Sequence, residues 1–472
     1  MRLEEVHEWF APCADVLFYP HAYSDGQEIS LVYCESLVEE QLINEMVLPE
    51  LTRLHQLTGF SDMNKIRSES RIQLEEAKDR DAVVRSVFAG HALVFFHSLE
   101  EPLSLSIASI PHRSTEASNV DVSIRGPKDG LVESLSINVG LVRKRLPTPN
   151  LGLDVIEIGN LSRTKVGLLY LKGKVQEPTL KEIRSRLKDV ADKLDELSST
   201  TQLEERISDH PYSLFPLSVY TGRADFIATC LNKGRFIILV DGVPGAMVAP
   251  ASLFLLIKTP EDSHFSFLTA NFGQTLRLFS LLISSFLPSF FIALIGFHQD
   301  QIPFPLLATI VMTRLGIPLS APMEMFLVLF FLELFKEAGY RLPSMIGQTL
   351  TVVGGLIIGD SAVRAGLISP SLVVIGAIAM VAGSTLISQT LTGTVAVLRY
   401  FSLAFAALLG MYGFLLSVLL LIVYLSGLTS FGVPYLAPVT PLNIKDIARA
   451  FLMMPRKLGG FVPYHLRKNN KG

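Results

Sequence analysis

The chain has 472 residues, a mean hydropathy of +0.41 and only 18% charged residues, which excludes a wholly soluble protein of this length. Residues 1–270 hold 28 basic and 38 acidic side chains, residues 271–430 hold 6 and 5, and residues 431–472 hold 7 and 1. An acidic soluble region therefore precedes an apolar block and a basic tail.

The soluble region lacks the features of several other classes of protein. The three cysteines are odd in number and scattered, which argues against a disulfide scaffold or a zinc site. The acidic N-terminus has no signal-peptide pattern, so we expect this region to be cytoplasmic. There is no basic stripe with interleaved aromatics, which argues against nucleic acid as a partner. Signatures of nucleotide-binding, metalloprotease and serine-hydrolase sites are also missing, so we expect neither an enzyme nor a bound cofactor or metal.

Residues 1–85 show only a weak helical pattern, and we assign them to a variable N-terminal segment. Strand-forming runs follow in residues 86–150, which we predict to be a first small α/β subdomain. Residues 151–242 are predicted to be a second one, with strands at 164–171 and 236–240 flanking an amphipathic helix. The apolar stripe of that helix begins at Leu180 and fits packing on its own sheet better than a coiled coil.

Residues 243–430 are predicted to be a polytopic α-helical transmembrane domain with four to six spans. Several of the runs are short, and the run at 243–257 is below the length of about 20 residues that a span needs. The candidate spans are 276–296, 302–312, 323–335, 346–358, 372–387 and 400–425. Residues 431–472 form a basic tail that is expected in the cytoplasm, where it either contacts membrane lipid or stays disordered. With the N-terminal region on the same side, the number of spans should be even.

Ionisable residues inside the apolar block are candidates for a pore or gate, because a charge in hydrocarbon is costly and normally faces protein or water. Glu324 and Glu333 are nine residues apart, which places them on opposite sides of a regular helix. One of them is therefore expected to be a structural partner. Asp360 and Arg364 have the spacing of a helical ion pair, which is either self-neutralising or part of a gate.

A small, mildly polar helix face is predicted between these charges. It comprises Gln348, Thr351, Gly355 and Gly359, of which the two glycines form a GxxxG pattern. Such a face can line a pore, or it can allow two helices to pack closely. Both uses remain open from the sequence.

Several motifs, taken in order from about residue 82 to about residue 452, resemble the A subunits of GerA-type spore germinant receptors. The soluble signature has its key residues at Arg125, Gly126, Pro127, Glu133 and Asn138. Further matches are the segments 164–173, 238–244, 297–298, 337–343, 346–348 and 430–438. The chain departs from the family pattern at 221–225, where it reads Thr-Gly-Arg-Ala-Asp, and at Leu329, Asp360 and Arg364.

The resemblance implies a multi-pass subunit of the spore inner membrane or cell membrane that acts with a transporter-like B-type subunit and a lipoprotein C-type subunit. It further implies a homo-oligomer that works as a ligand-gated cation channel to trigger spore germination. Two alternatives remain open. One is a subunit of a solute transporter, and the other is a non-conducting membrane scaffold of a receptor complex.

Overall fold

The computed structural model describes residue 1 and residues 3–96, 99, 101–108, 125–341 and 359–440. These residues form two α/β lobes followed by a set of apolar helices. The last described residues return to the second lobe.

The first lobe is built around a five-stranded antiparallel sheet in the order β1-β2-β4-β5-β3. Its central strands are covered on both faces, one by α3 and α4 and the other by α1 and α5, which explains the unbroken apolar run of β2. The strands are β1 (Val16–Ala22), β2 (Glu28–Cys34), β3 (Leu74–Glu76), β4 (His91–Phe96) and β5 (Leu103–Ser106). The helices are α1 (Leu3–Phe10), α2 (Glu40–Leu42), α3 (Leu48–Thr58), α4 (Met63–Glu69) and α5 (Arg80–Phe88).

The first sheet extends into the segment that we expected to be variable and weakly helical. Residues 1–85 contain β1, β2 and β3, and the expected boundary at residue 85 falls inside α5. The strand β1 is difficult to recognise because it is an edge strand that contains Pro20 and has no regular alternation of buried positions. The β1–β2 hairpin does carry one local signal, the Asp25-Gly26 turn, in which Gly26 has φ +88°.

The second lobe contains another five-stranded antiparallel sheet, in the order β6-β7-β9-β10-β8. The strands are β6 (Leu151–Ile158), β7 (Thr164–Leu171), β8 (Val219–Thr221), β9 (Phe236–Val240) and β10 (Ala246–Ala249). The helices are α6 (Leu135–Arg145), α7 (Glu177–Lys193), α8 (Thr200–Ile207) and α9 (Ala224–Asn232). The apolar stripe of α7 is buried against this sheet, while α6 and α9 cover the other face.

Two elements of the second lobe lie outside the range 151–242 that we expected for it. Helix α6 precedes residue 151 but packs on the second sheet through Leu135 and Val139. Strand β10 was expected in the membrane domain, yet it pairs with β8 and β9. Its sequence, Ala-Met-Val-Ala, is as apolar as a membrane segment, because a strand buried on both faces has no polar alternation.

A buried ion pair joins the two lobes. The guanidinium of Arg143 in α6 donates to both carboxylate oxygens of Asp15, at 2.6 and 2.9 Å, and both side chains are almost fully buried. The thiol of Cys34 and the hydroxyl of Ser36 donate to the same carboxylate at 3.3 Å. Burial would raise the pKa of Asp15, but the charge and hydrogen bonds of Arg143 outweigh it and lower that pKa.

After the lobes come α10 (Leu253–Leu256), α11 (Phe267–Phe297), α12 (Phe304–Arg314), α13 (Ala321–Arg341), α14 (Pro370–Ser384) and α15 (Gln389–Gly427). Among the described residues, α11 and α15 are long and apolar enough to cross a membrane. Helices α12 and α14 are apolar but shorter. The predicted span at 346–358 lies outside the described residues. The described residues thus contain two helices that are long and apolar enough to cross a membrane, where we expected four to six spans.

Helix α15 is folded back on itself at Gly410. This residue has φ 61° and ψ −137°, a conformation that only glycine adopts readily. A Cβ atom on Gly413 would collide with the carbonyl oxygen of Phe405, which would lie about 12 Å away in a straight helix. The residues on either side, 389–409 and 411–427, are therefore two arms of about 31 and 26 Å. The carbonyl of Leu214 accepts a hydrogen bond from Thr394 in the first arm, and its N–H donates one to the hydroxyl of Tyr424 in the second arm. Both arms therefore reach the loop that contains Leu214.

The chain returns to the second lobe after α15. A short hairpin, β11 (Thr429–Ser430) and β12 (Val433–Pro434), lies against that lobe. The ring of Phe431 packs edge-on against Phe236 of β9 at 5.0 Å, and Ser430 Oγ donates to the carbonyl of Leu217 at 2.7 Å. Residues 431–440 are thus part of the lobe and not of a free tail, and residues 441–472 lie outside the described residues.

Replacing Asp15 with Asn should destabilise the junction of the two lobes. The change leaves the buried guanidinium of Arg143 without a counter-charge, which costs about 3 to 5 kcal/mol in comparable pairs. The matched control is Asp189→Asn, because Asp189 forms an exposed pair with Lys193 whose loss costs at most about 1 kcal/mol. Thermal unfolding of the detergent-solubilised chain would show a large loss of midpoint temperature for the first variant only.

The same pair makes the stability of the fold depend on pH in the acid range. Because the pKa of Asp15 is lowered in the folded state, its contribution is complete above the ordinary carboxyl pKa and is lost as the pH falls below it. The difference in midpoint between wild type and Asp15→Asn should therefore shrink as the pH falls through this range. A difference that stays constant across the range would contradict the role that we assign to the pair.

Replacing Gly410 with Ala should destabilise the hairpin of α15. The new Cβ atom would lie 2.6 Å from the ring of Phe297, and the backbone conformation is unfavourable for any L-residue. Gly393→Ala is the matched control, since a Cβ there meets no atom within 4 Å and Ala is the better helix former. We expect a drop of several degrees in the unfolding midpoint for Gly410→Ala and none for Gly393→Ala; the reverse order would refute the folded-back geometry.

Candidate functional site

The segment between the second lobe and α11 is a tight turn, Pro260–His264, that the local sequence specifies. Thr259 caps the turn by accepting the N–H of Glu261 at 2.9 Å, and Asp262 accepts the N–H of Thr259 at 3.0 Å. This reciprocal arrangement is a capping box. It fixes Glu261 and Asp262 at the point where the chain leaves the lobe for its first long apolar helix.

Glu261 receives the Arg125-Gly126 motif. Its two carboxylate oxygens accept the backbone N–H of Arg125 at 3.0 Å and that of Gly126 at 3.2 Å. The Arg125 guanidinium also lies over the ring of Phe265, 5.5 Å from its centroid. A residue with a side chain does not fit at position 126, because a Cβ atom on Gly126 would lie 2.7 Å from Glu261 and would collide with Arg223. The motif thus acts through its backbone.

Arg223 completes this cluster from the start of α9. Its buried guanidinium donates to Glu261 and, at 2.7 and 3.0 Å, to both oxygens of Asp225. Asp225 also contacts His264 Nε2 at 3.0 Å. Burial would raise the pKa of Glu261, but the bonds from Arg223 and the two backbone N–H groups lower it to about 2. Glu261 is therefore ionised throughout the physiological range.

The turn is also tied to α11 itself. Arg277 of α11 donates to the carboxylate of Asp262 at 2.6 Å, and both side chains are largely buried. The residues 125–126, 223–225, 261–264 and 277 form one continuous polar network, which we call the junction network. It links the signature loop, the second lobe and the first long apolar helix.

The remaining residues of the soluble signature lie elsewhere in the second lobe. Asn138 is buried and closes a loop by bonding the N–H and the carbonyl of Val132 at 2.8 and 2.6 Å. The carbonyl of Glu133 accepts the N–H of Gly242 at 2.7 Å. Pro127 follows Gly126 in the signature loop. The signature therefore divides into one part that contacts Glu261 and another that holds the lobe together.

The sequence analysis did not identify Glu261, Asp262 or His264 as site residues. The capping pattern Thr-Pro-Glu-Asp directly before a long apolar run is the signal that could have shown them. Arg223 and Asp225 were noted only as part of a departure from the family pattern. In the structure, Ala224, which is one of the residues that depart from the family pattern, begins α9. Its neighbours Arg223 and Asp225 form the ion pairs of the cluster.

Within the apolar helices, the structure places Glu324 at a meeting point of three elements. Its fully buried carboxylate accepts from Arg314 of α12 at 2.9 and 3.2 Å, and from the N–H of Ser369, which caps α14, at 3.0 Å. Every oxygen of this carboxylate is engaged in holding helices together.

Glu333 lies near a buried arginine that the sequence analysis missed. Lys336 donates to one of its oxygens at 2.8 Å, and Arg399 Nη1 lies 3.9 Å from the other. Arg399 is 2% exposed and donates to the hydroxyl and carbonyl of Ser284 in α11, both at 2.8 Å. The signal was a single arginine within an otherwise apolar stretch.

Other predicted pore residues are only partly described. Asp360 and Arg364 form an exposed ion pair at 2.7 Å, as expected for a self-neutralising pair. A Cβ on Gly359 would meet no atom within 4 Å in the described structure. Gln348, Thr351 and Gly355 lie outside the described residues. In the part of the chain that is described, no group of His, Cys, Asp and Glu side chains could hold a metal ion.

The described structure combines two α/β lobes, a buried polar network and a set of apolar helices, two of which are long and apolar enough to cross a membrane. The chain belongs to the Bacillus/Clostridium GerA spore germination protein family, whose sequence profile matches residues 4–459.

Individual relatives are similar along nearly the whole chain. Spore germination protein XA of Bacillus anthracis is 41% identical, with 93% of this chain and 91% of that protein covered. The uncharacterized membrane protein YfkQ of Bacillus subtilis (strain 168) is 31% identical, with 94% and 86% covered. The crystal structure of the N-terminal domain of the A subunit of the Bacillus megaterium spore germinant receptor GerK3 gives a TM-score of 0.41 at 27% identity, covering 53% of this chain and 93% of that one.

Replacing Glu261 with Gln should loosen the junction network. The variant keeps the shape of the side chain but removes the charge that strengthens its bonds to residues 125, 126 and 223. Hydrogen bonds to charged groups contribute about 1.5 to 3 kcal/mol, so amide exchange in the peptide 125–131 should accelerate by about ten-fold or more.

The control is Glu182→Gln, which removes a carboxylate from the exposed face of α7. Hydrogen–deuterium exchange of the detergent-solubilised chain would compare the two variants. Unchanged exchange at 125–131 in Glu261→Gln would show that the carboxylate does not hold the signature loop.

Proposed function

We propose that the chain is the A subunit of a nutrient germinant receptor that oligomerises as a ligand-gated cation channel and triggers spore germination. The observation that carries this proposal is its membership of the GerA family along residues 4–459. Spore germination proteins KA and B1 of Bacillus subtilis (strain 168) are each 30% identical to it over more than nine tenths of this chain. Its role is that of a receptor and not of an enzyme.

In this proposal the subunit lies in the spore inner membrane, with its lobes in the cytoplasm, and acts with B-type and C-type subunits. The return of the chain to the second lobe after α15 supports an even number of membrane crossings, because residues 429–435 and the lobes then lie on one side. The hairpin of α15 supplies two of these crossings.

The junction network would transmit the binding signal. A ligand that binds better to one arrangement of the receptor shifts the population toward it, provided that the lobes and the helices move together. Glu261 and Arg223 connect the lobe to the turn before α11, and Arg277 connects that turn to the helix. Movement of the lobes would therefore displace α11.

Arg399 and Glu333 are suited to respond to such a displacement. Arg399 is held by Ser284 of α11, while its distance of 3.9 Å from Glu333 of α13 is about 1 Å too long for a charged hydrogen bond. A small shift of α11 relative to α13 would form that bond. We propose this pair as the element that differs between the closed and open states.

Glu333→Gln should change conductance, because it removes the charge that faces Arg399. Glu337→Gln is the matched control, since Glu337 lies on the same helix in an exposed pair with Arg341. Both variants and the wild type would be reconstituted in liposomes with B-type and C-type subunits, and nutrient-triggered cation flux would be recorded. We expect altered flux for Glu333→Gln only.

Other outcomes would favour other functions. Equal flux in all three proteins would exclude Glu333 from gating. A stable complex that never conducts would indicate a scaffold. Saturable accumulation of a solute without channel currents would indicate a transporter, an alternative that the interrupted helix α15 keeps open.

A further inference from the structure

A cavity of about 490 Å³ lies between the second lobe and the beginning of α15. One wall comes from the lobe and the segment that follows it, including Phe226, Leu255 and Lys258. The opposite wall comes from residues 387–390, where α15 begins. The cavity therefore spans the boundary between the soluble and the apolar parts of the molecule.

Lys258 is the basic residue that lines this cavity. Among the described residues, no carboxylate forms an ion pair with it, and the acid with the strongest effect on it, Asp262, is bound to Arg277 and to Thr259. Burial and the nearby charges of Lys233 and Arg235 lower the pKa of Lys258 to about 7. The free energy cost of this arrangement would be reduced by a bound anion.

Arg235 does not line the cavity, but it is close enough to lower the pKa of Lys258. It is 4% exposed, its Nε donates to the carbonyl of Pro250 at 3.1 Å, and its Nη1 is buried with no hydrogen-bond partner among the described residues. Buried guanidinium groups normally have all their donors satisfied. Lys258 thus lies near two further basic side chains, and the ion pairs of the described residues include none of the three.

The other residues around the cavity favour an amphiphilic ligand. Leu255, Leu256 and Phe226 provide apolar surface next to Lys258. The only carboxylate in the lining, Glu204, accepts from Ser218 Oγ at 2.6 Å, and burial raises its pKa.

We propose that this cavity binds an amphiphilic anion, with its phosphate or carboxylate group at Lys258 and its apolar part against Leu255, Leu256 and Phe226. The anion is either the head group of a lipid from the adjoining leaflet or a free soluble molecule. Because the walls belong to the lobe and to α15, an occupant contacts both and stabilises one relative position of them. This proposal does not depend on whether the chain conducts ions.

The test uses the full-length chain in nanodiscs, with hexyl phosphate as a soluble probe and inorganic phosphate as a probe without an apolar part. In phosphatidylcholine nanodiscs, the dissociation constant of hexyl phosphate should rise by about ten-fold or more in Lys258→Met. It should be unchanged in Lys193→Met, which alters an exposed lysine of α7. Thr390→Trp, which fills the cavity from the α15 side, should weaken binding without removing a charge.

Adding phosphatidylglycerol to the nanodiscs distinguishes the two sources. A lipid head group is identified as the occupant if phosphatidylglycerol weakens the binding of hexyl phosphate and raises the unfolding midpoint more in wild type than in Lys258→Met. Undiminished binding identifies a soluble anion. Failure of the wild type to respond to either hexyl phosphate or phosphatidylglycerol, or equal responses of wild type and Lys258→Met, would overturn the proposal.

Discussion

A charge that is buried away from water is stabilised by a partner of opposite charge, and in this molecule three such pairs lie where separate parts of the chain meet. Arg143 and Asp15 join the two lobes, Arg223 and Glu261 join the second lobe to the turn before α11, and Arg314 and Glu324 join α12 to α13. Each pair is an arginine with a carboxylate, whose planar, multiple hydrogen bonds fix orientation as well as distance. Apolar packing forms each part, and these pairs determine how the parts are arranged.

The elements that could be predicted are those in which the local pattern of apolar residues shows which side chains are buried. The stripe of α7 and the apolar runs of β4, β7 and β9 each correspond to an observed element. All three strands within residues 1–85 were missed. The edge strand β1 contains Pro20 and the strand β3 has three residues, so both have little pattern of their own, whereas β2 was missed although its residues are strand-forming. Strand β10 resembles a membrane segment, since burial in a sheet and burial in lipid select the same residues.

The site was harder to predict than the fold because its contacts join residues that are distant in sequence. Gly126 and Glu261 are 135 positions apart, and Arg399 and Ser284 are 115 apart. A single sequence can show that a buried arginine needs a partner, but not which of several acceptors it has. The signature residues Arg125 and Gly126 were identified, yet their function through backbone N–H groups became apparent only from the position of Glu261. The fold-back at Gly410 gave no local warning either, because glycines are common in apolar helices.

The hairpin that follows α15 has a consequence for the order in which the protein matures during synthesis. Phe236 is made nearly two hundred residues before Phe431, the aromatic ring that covers it in the finished structure. Because the chain is synthesised from its N-terminus, the second lobe stays incomplete until the apolar helices have been made and the chain has returned. Until then an apolar surface on the lobe remains open to water. A chain truncated within α15 would lack Phe431 and would leave that apolar surface of the lobe uncovered, which makes it more open to proteases.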